Sequence, residues 1–448
     1  MAKPLVALVG RANVGKSTLF NRIIGRRIAI VEDVPGTTRD RIYASGEWNG
    51  REFSLIDTGG IELGEEGDIV RRVREQAQLA ISEADVVVFL VDSRGGVTSE
   101  DLEIADMLRA SGKSVLLAAN KADNEVRRLD SAEFYQLGLG DVMPISAFHG
   151  TGTGDLLDEV VGCLPPAETE EEVAGIGVAI VGRPNVGKSS LLNSILGVER
   201  SIVSDQPGTT RDVIDTPVDH GGERLVLLDT AGIRRRGKVE RGVEYYSVIR
   251  ALRAIDRSEV AFVVLDASEG VTAQDTHLAG YVREARKGIV LVANKWDLVV
   301  PSSPSAQQEF TEKIRSEFRF IPYAPIHFTS AKTGKGVGGL LDLALKIHVE
   351  RQQRVPTAKL NEAVQETIAA HSAPSVKGRR LRIYYATQAA TNPPTFVFFV
   401  NDPKLLHFGY ERYLENRLRA SFGFDGTPVR LVFRPRAEAE RSGGEGKR

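Results

Sequence analysis

An eight-residue motif that is rich in glycine and ends in Lys-Ser occurs twice in the chain. It spans Gly10 to Ser17 as Gly-Arg-Ala-Asn-Val-Gly-Lys-Ser and Gly182 to Ser189 as Gly-Arg-Pro-Asn-Val-Gly-Lys-Ser, an offset of 172 residues. Each copy follows a short apolar run and precedes a helical pattern. Its backbone N–H groups therefore cluster at a helix N-terminus and suit a β-phosphate. The lysine can neutralise phosphate charge and the serine hydroxyl can bind Mg²⁺, so the motifs predict two phosphate-binding loops.

An Asp-x-x-Gly motif also occurs twice, beginning at Asp57 and at Asp229 with the same offset of 172 residues. Each aspartate ends a predicted strand and can bind the same Mg²⁺ as the serine, through a water molecule, because Mg²⁺ keeps part of its hydration shell. The closing glycine of each motif, Gly60 or Gly232, can donate its backbone N–H to a γ-phosphate. One short segment is thus predicted to hold both a metal ligand and a phosphate contact.

A threonine pair precedes Arg-Asp in both copies. The hydroxyl of Thr38 or Thr210 can close the Mg²⁺ coordination sphere only while the γ-phosphate is present. Thr37 and Thr209 remain alternatives for this role. The pair therefore predicts a loop that responds to the state of the nucleotide.

The sequence Asn-Lys-x-Asp follows a buried-strand pattern in each copy, at residues 120–123 and 294–297. Its aspartate can accept hydrogen bonds from N1–H and the exocyclic amine of guanine, a donor pair that adenine lacks. The lysine stem can lie along the purine, and the asparagine can connect this loop to the phosphate loop. Ser146-Ala147 and Ser330-Ala331 fit a backbone contact to guanine O6. The predicted ligands are therefore GTP and GDP, at two sites.

The predicted nucleotide contacts are the same set of positions in the two copies. In the first copy they are Gly10, Arg11, Ala12, Asn13, Val14, Gly15, Lys16, Ser17, Asp57, Thr58, Gly59, Gly60, Ile61, Asn120, Lys121, Ala122, Asp123, Ser146 and Ala147. In the second copy they are Gly182, Arg183, Pro184, Asn185, Val186, Gly187, Lys188, Ser189, Asp229, Thr230, Ala231, Gly232, Ile233, Asn294, Lys295, Trp296, Asp297, Ser330 and Ala331. The residues predicted to act in hydrolysis are Lys16, Thr38, Gly60, Lys188, Thr210 and Gly232. The predicted Mg²⁺ ligands are Ser17, Thr38, Asp57, Ser189, Thr210 and Asp229.

The elements that must position these motifs are short β-branched runs alternating with helical patterns. In the first copy the runs are Leu5–Val9, Phe53–Ile56, Val86–Val91, Val115–Ala119 and Val142–Ile145. This alternation is typical of a mostly parallel sheet covered by helices. We therefore predict two α/β P-loop G domains, residues 1–164 and 176–350, joined by an acidic linker at 165–175. In the second copy, residues 301–305 are predicted to be a surface loop.

From residue 351 the pattern changes to a helix at 359–371, strands at 381–386 and 395–400, a helix at 403–422 and a strand at 428–433. This order predicts a small α+β domain to residue 436. Residues 437–448 are polar and predicted to be disordered.

Charge is distributed unevenly along the chain. Residues 351–436 contain fourteen Lys or Arg against six Asp or Glu, whereas residues 1–350 contain 41 against 51. This split predicts that the third domain meets a polyanion, with a solvated basic face as the alternative. No apolar run approaches the roughly 18 residues that a membrane span needs. The N-terminus lacks a small-residue cleavage site, so we expect a cytoplasmic protein without membrane contact. We also expect a monomer.

With these motifs in place, the chain resembles the EngA family, also called Der: bacterial GTPases with two consecutive G domains and a C-terminal KH-like domain. The tandem arrangement is the most specific part of the resemblance, which covers nearly the whole chain. It implies a GTP-hydrolysing switch that acts in assembly of the large ribosomal subunit, with that subunit and its rRNA as partners.

The third domain departs from an RNA-gripping KH domain in one respect. Such domains use a Gly-x-x-Gly loop between two helices. The Gly-x-x-Gly of this chain, residues 423–426, follows the second helix and is predicted to be a helix stop and a turn. The best candidates for RNA contact are Arg379, Arg380 and Arg382 beside Tyr384 and Tyr385, with an ordinary strand face as the alternative.

A second departure concerns hydrolysis. Ile61 and Ile233 stand where switch GTPases usually carry the glutamine that orients the attacking water, so slow intrinsic turnover is expected. In related GTPases an asparagine at the position of Asn13 and Asn185 helps to bind K⁺. K⁺ is therefore a predicted second cofactor beside Mg²⁺, with a purely structural asparagine as the alternative.

Two other functions share parts of these motifs. A P-loop kinase is disfavoured by two Asn-Lys-x-Asp motifs and by the lack of any segment that suggests an acceptor pocket or lid. A tRNA-modifying GTPase shares the Gly-Thr-Thr-Arg-Asp loop. Members of that group normally carry one G domain and a catalytic C-terminal cysteine, whereas this chain has two G-domain motif sets and its one cysteine at Cys163.

Overall fold

The computed structural model describes residues 3–25, 43–57, 81, 84–166, 175–198, 215–228, 243–299, 304–376 and 378–435. Contacts between Cα atoms divide the chain into two compact units. One comprises Met1–Val173 with Gly237–Asp256, and the other comprises Ala174–Arg236 with Arg257–Arg448.

The first copy of the motifs lies on a sheet with helices on both faces. Its strands are β1 (Leu5–Val9), β2 (Tyr43–Trp48), β3 (Arg51–Asp57), β4 (Val86–Asp92), β5 (Ser114–Asn120) and β6 (Val142–Pro144). Its helices are α1 (Lys16–Gly25), α2 (Ser99–Ser111), α3 (Glu125–Asp130) and α4 (Thr153–Cys163), with a 3₁₀ segment at Ser131–Leu137. Across the described strands the order is β2-β3-β1-β4-β5-β6, parallel except for the β2–β3 hairpin.

Strand β1 shows why this sheet has two cores. Val6 and Leu8 belong to a buried cluster with Leu19 of α1, whereas Ala7 belongs to a cluster with Ile104 of α2. Successive side chains of a strand point to opposite faces, so a strand that is apolar at every position requires a helix on each side.

The second copy repeats this plan. Its strands are β7 (Ile176–Val181), β8 (Thr216–His220), β9 (Glu223–Leu228), β10 (Val260–Asp266), β11 (Gly288–Asn294) and β12 (Ile326–Phe328). In chain order the helices of this segment are α5 (Lys188–Val198), α6 (Val243–Arg257), α7 (Ala273–Glu284), α8 (Pro304–Glu317) and α9 (Gly338–Gln352), of which α6 belongs, up to Asp256, to the first compact unit. The described strands take the order β12-β11-β10-β7-β9-β8, again parallel except for one hairpin. The predicted α/β class is confirmed for both copies.

The remaining described residues form the predicted α+β domain. It contains α10 (Thr357–Ala370), β13 (Ser375–Val376), β14 (Arg379–Arg380), β15 (Ile383–Thr391), β16 (Pro394–Val400), α11 (Phe408–Phe422) and β17 (Arg430–Pro435). Strands β15, β16 and β17 form a sheet whose first pair is antiparallel and second pair parallel. Phe396 and Phe398 are fully buried in a cluster with Leu360 of α10 and Leu414 of α11.

The prediction of one helix over residues 403–422 was wrong in extent. A 3₁₀ turn covers Pro403–Leu405, and α11 begins only at Phe408. The physical reason is a second cap, because the His407 side chain accepts a hydrogen bond from Gly409 N at 3.1 Å. A capping residue has extended backbone angles and so separates the turn from the helix.

Residues 423–426, the junction turn, connect the third domain to the second G domain. Gly423 ends α11 with φ 88°, which confirms the predicted helix stop. Ile289 N at the start of β11 donates to Gly426 O at 2.8 Å, and Gly426 N donates to Tyr323 O at 2.9 Å. Phe424 is fully buried, and its N–H donates to Glu350 Oε2 of α9 at 2.8 Å. Backbone hydrogen bonds therefore join the two domains.

Some sequence predictions lie outside the described residues: most of the acidic linker, at 167–174, and the tail at 437–448. Within the described ranges, none of the helices has the length and apolar character that crossing a bilayer requires.

Candidate nucleotide-binding sites

The first phosphate loop connects β1 to α1. Lys16 opens α1 and its Nζ donates to Gly10 O and Arg11 O at 2.8 Å each, so the ammonium group lies within the loop. Lys16 is 7% exposed, and burial lowers the pKa of its ammonium group, opposed by the charge of Asp57. A phosphate group placed against this loop would compensate the charge that burial penalises.

The first metal-ligand pair is brought together by two neighbouring strands. Leu8 of β1 is in register with Asp57, the last residue of β3, so this carboxylate reaches the start of α1. There Ser17 Oγ donates to Asp57 Oδ2 at 2.6 Å. A hydroxyl and a carboxylate in contact form the oxygen set that Mg²⁺ prefers, so the residues present fit that ion. When bound, Mg²⁺ supplies positive charge to the phosphate oxygens.

The asparagine of the first base motif holds three loops together. Asn120 Nδ2 donates to Val14 O of the phosphate loop at 2.8 Å, and Asn120 Oδ1 accepts from Ala147 N at 2.8 Å. The Asn120 side chain approaches the phosphate loop so closely that position 15 must be glycine. A Cβ there would lie 2.3 Å from Asn120 Nδ2, and the φ of +100° disfavours side chains.

The second copy repeats these contacts. Asn294 Nδ2 donates to Val186 O at 2.9 Å, and Asn294 Oδ1 accepts from Ala331 N at 3.1 Å. Lys188 Nζ donates to Gly182 O and Arg183 O at 2.7 Å each. The same residue types at the same spacing therefore fold into the same local geometry twice.

One oxygen of each base-motif aspartate is held in the same way in the two copies. Ser146 Oγ donates to Asp123 Oδ1 at 2.8 Å, and Ser330 Oγ donates to Asp297 Oδ1 at 2.6 Å. The serine of each serine-alanine pair thus orients the carboxylate, a role beyond the predicted backbone contact. A hydrogen bond from Arg94, which contributes most, and one from Ser146 lower the pKa of the Asp123 carboxyl below its ordinary range.

Two functional residues escaped the motif search. Asp92 ends β4 and its Oδ2 accepts from Lys121 Nζ at 2.6 Å, while Asp266 ends β10 and accepts from Lys295 Nζ at 2.5 Å. In each pair the aspartate holds the side chain of the base-motif lysine beside its loop. The available signal was an aspartate that closes an apolar strand in both copies, because Asp92 and Asp266 differ by the same 174 residues as the base motifs.

Many predicted contacts lie outside the described residues. In the first copy these are Thr37, Thr38, Thr58, Gly59, Gly60 and Ile61. In the second copy they are Thr209, Thr210, Asp229, Thr230, Ala231, Gly232 and Ile233. Their roles remain predictions.

Comparisons with known proteins cover the same segments. The family model described as 50S ribosome-binding GTPase matches residues 5–121 and 177–295, and the elongation factor Tu GTP binding domain model matches residues 243–350. The model described as KH-domain-like of EngA bacterial GTPase enzymes, C-terminal, matches residues 354–434. Among solved structures, the FeoB G-domain from Methanococcus jannaschii is 27% identical and covers 36% of this chain and 98% of its own, with a TM-score of 0.28.

Full-length relatives decide the family. GTPase Der of Chloroflexus aggregans is 56% identical over 448 residues, which are 98% of this chain and 100% of the relative. GTPase Der of Herpetosiphon aurantiacus is 53% identical over 456 residues, which are 100% of both chains. The chain belongs to the GTPase Der family. As a member of the Der family it binds guanine nucleotides and hydrolyses GTP, which confirms the predicted activity.

Proposed function

We propose that the chain is a GTP-driven switch in assembly of the large ribosomal subunit, and that its third domain meets rRNA. Two observations support this proposal. Each half carries a phosphate loop joined to a base loop by one asparagine, Asn120 or Asn294. The family model that covers both halves carries the description 50S ribosome-binding GTPase.

The observation that carries RNA contact is an arginine-tyrosine surface on the third domain, composed of Arg379, Arg380, Arg382, Tyr384 and Tyr385. Arg380 and Arg382 are exposed, and the two tyrosines are 41% and 43% exposed. Tyr385 stacks on a phenylalanine of β16 with ring centroids 4.3 Å apart and an interplanar angle of 13°. Arginines bind phosphate and exposed aromatic rings stack on bases, so this surface suits an unpaired RNA segment.

Binding to purified large subunits tests the proposal. The double variant Arg380→Glu/Arg382→Glu should sediment with subunits at least about tenfold more weakly than wild type, with a salt slope smaller by about two. The matched control Lys359→Glu/Arg417→Glu makes the same charge change at exposed positions of α10 and α11 and should bind like wild type. Equal binding by both double variants, under GDP and under a non-hydrolysable GTP analogue, would exclude this surface.

Charge reversal is preferable to deletion of the domain. Truncation after about residue 350 would remove the junction turn and uncover Ile289 and Ile347 of the second G domain. A Cβ added to Gly426 would lie 2.5 Å from Ile347, which shows how closely the turn is packed. A truncated chain would therefore lose binding through misfolding as readily as through loss of RNA contact.

We also propose that each site acts with the residues predicted for it, including Mg²⁺ at Ser17 and Ser189 and K⁺ at Asn13 and Asn185. Calorimetric titration should find two guanine nucleotides per wild-type chain. Lys16→Ala and Lys188→Ala should each weaken one site, because each lysine is seated in its own phosphate loop. A single site in the wild type would contradict the assignment.

A further inference from the structure

The two base sites hold the same aspartate in different ways. In the first, Asp123 Oδ2 accepts from Arg94 Nη2 at 2.7 Å and from Arg127 Nη1 at 3.2 Å. The Asp123 side chain is 20% exposed, that of Arg94 52% and that of Arg127 36%. Arg94 follows β4 and Arg127 lies on α3, so two separate elements converge on one carboxylate oxygen.

The second site has no corresponding ion pair among the residues that the structure describes. Ser268 stands where the first copy has Arg94, and its Oγ donates to Asp266 Oδ1 at 2.5 Å instead of reaching the base loop. Asp297 accepts from Ser330 within the described ranges. This base loop is held by aromatic packing, because Trp296 contacts the Phe328 ring edge-on at 4.6 Å between centroids.

The arrangement at the first site leaves the carboxylate able to bind guanine. An ionised carboxylate offers about four lone-pair positions on two oxygens. Ser146 occupies one position on Oδ1, and Arg94 and Arg127 occupy the two positions on Oδ2. One lone pair on Oδ1 is therefore open to a guanine donor, and the second donor takes the place of the longer bond, that of Arg127 at 3.2 Å. Because both oxygens are held, the plane of the carboxylate is fixed.

We propose that Arg94 is a positioning residue for guanine recognition at the first site only. It holds Asp123 in the plane that a two-donor base edge requires, whereas among the described residues the second site holds its aspartate without an ion pair. Base selectivity at the first site is therefore salt-sensitive, because an exposed ion pair is screened by electrolyte. Base selectivity at the second site does not depend on salt in this way.

The test uses the full chain with Lys188→Ala, so that titration reports the first site. Affinities for GDP and for inosine diphosphate, which lacks the exocyclic amine, are measured at low and at high KCl. Arg94→Ser installs the residue of the second copy and should lower the GDP-to-inosine-diphosphate affinity ratio about three- to fivefold, the upper part of the range for an exposed ion pair. High salt should lower the ratio in the parent and leave that of Arg94→Ser unchanged.

Two variants distinguish positioning from general charge effects. Arg128→Ser removes another exposed charge, one residue beyond Arg127, and should lower the affinity for both nucleotides equally or not at all. Arg94→Lys should restore part of the ratio, because it keeps one charged donor. The proposal is overturned if Arg94→Ser raises GDP affinity, since Arg94 would then compete with the base. It is equally overturned if Arg94→Ser and Arg128→Ser give the same ratio.

Discussion

At the residue scale, both phosphate loops contain an asparagine in a left-handed conformation, Asn13 with φ 63° and Asn185 with φ 65°. Both residues are exposed in their loops. Asparagine and glycine tolerate this conformation, whereas alanine is strained in it by about 1–2 kcal/mol. A change to alanine would therefore mix loop strain with loss of a cation ligand, and glycine is the cleaner substitution.

We predict that wild-type GTP hydrolysis is faster in K⁺ than in Na⁺, and that Asn13→Gly or Asn185→Gly reduces the stimulation at its own site. A cation can supply charge that an arginine finger supplies elsewhere, a contribution of about 10³ to 10⁵ in rate, so partial replacement is measurable. Phosphate release is followed at constant ionic strength, and GDP affinity serves as the control that should not change. Equal wild-type rates in the two salts would refute cation assistance.

At the element scale, the junction turn places a glycine against α9. A Cβ on Gly426 would lie 2.5 Å from Ile347 Cδ1 and 3.3 Å from Ile289 O, at a φ of +65°. Gly378 has a similar φ of +76° and nothing within 4 Å of its Cβ position. A side chain at either position would therefore meet the same unfavourable backbone conformation, but only at position 426 would it also collide with neighbouring atoms.

We predict that Gly426→Ala lowers the free energy of unfolding by about 1–3 kcal/mol more than Gly378→Ala, the cost of overpacking. Chemical denaturation followed by circular dichroism measures the difference. Equal losses for the two variants would mean that Ile347 moves aside without cost, and that the packing of the turn does not stabilise the junction.

Tyr323 gives the same junction a dependence on alkaline pH. Its hydroxyl is buried without a hydrogen-bond partner among the described residues, and the Arg419 guanidinium lies 4.0 Å from the ring centroid. Burial raises the pKa of Tyr323 to about 12, so the folded chain keeps a proton that the unfolded chain loses above about pH 10. Titration of this group therefore leaves the free energy of unfolding unchanged below pH 10 and lowers it as the pH rises from 10 towards 12.

We predict that Tyr323→Phe flattens the loss of stability between pH 10 and pH 12. The variant should also unfold at higher denaturant concentration at pH 7, because it removes a buried unsatisfied hydroxyl worth about 1–3 kcal/mol. Urea midpoints across this pH range measure both effects. A variant with the slope of the wild type would show that the tyrosine hydroxyl reaches water in solution.

At the scale of the whole molecule, the second G domain and the third domain should open together. Strand β11 begins at the junction turn, where Ile289 binds Gly426, and ends at Asn294 of the base motif. Helix α9 follows the serine-alanine pair and reaches the turn through Glu350. Two elements therefore run from the second nucleotide site to the third domain.

We predict that GDP at 100 times its dissociation constant slows hydrogen exchange in α11 by up to about 100-fold in Lys16→Ala, the factor expected when binding and opening are linked. In Lys188→Ala, where the second site is disabled, α11 should be unaffected. Mass spectrometry of α11 peptides measures both. Unchanged exchange in Lys16→Ala would mean that the third domain opens independently of the second G domain.

Several elements could be predicted because their pattern is local. Strand β1 was expected at Leu5–Val9 and is observed there, since a run of apolar β-branched residues before a phosphate loop has few alternatives. The β2–β3 hairpin was missed because β2 pairs antiparallel with its neighbour and has a weak apolar pattern. Pro304 was assigned to a loop, yet it begins α8, because proline is favoured in the first turn of a helix.

By itself, the sequence determined the two phosphate loops, the choice of guanine and the α/β class. Each of these depends on residue types within a contiguous segment whose backbone forms the site. The link from Asn120 to the phosphate loop was also predicted and is observed. Only the tertiary structure decided the other contacts that hold the loops: Lys121 on Asp92, Arg94 on Asp123, and the junction turn against Ile289. These contacts join residues that are far apart in the chain, and a side chain reaches such a partner only after the sheet order has placed their strands side by side. For this reason the duplicated motifs predicted two equal sites, whereas in the folded chain an arginine ion pair holds the aspartate of the first base loop and aromatic packing holds the second base loop.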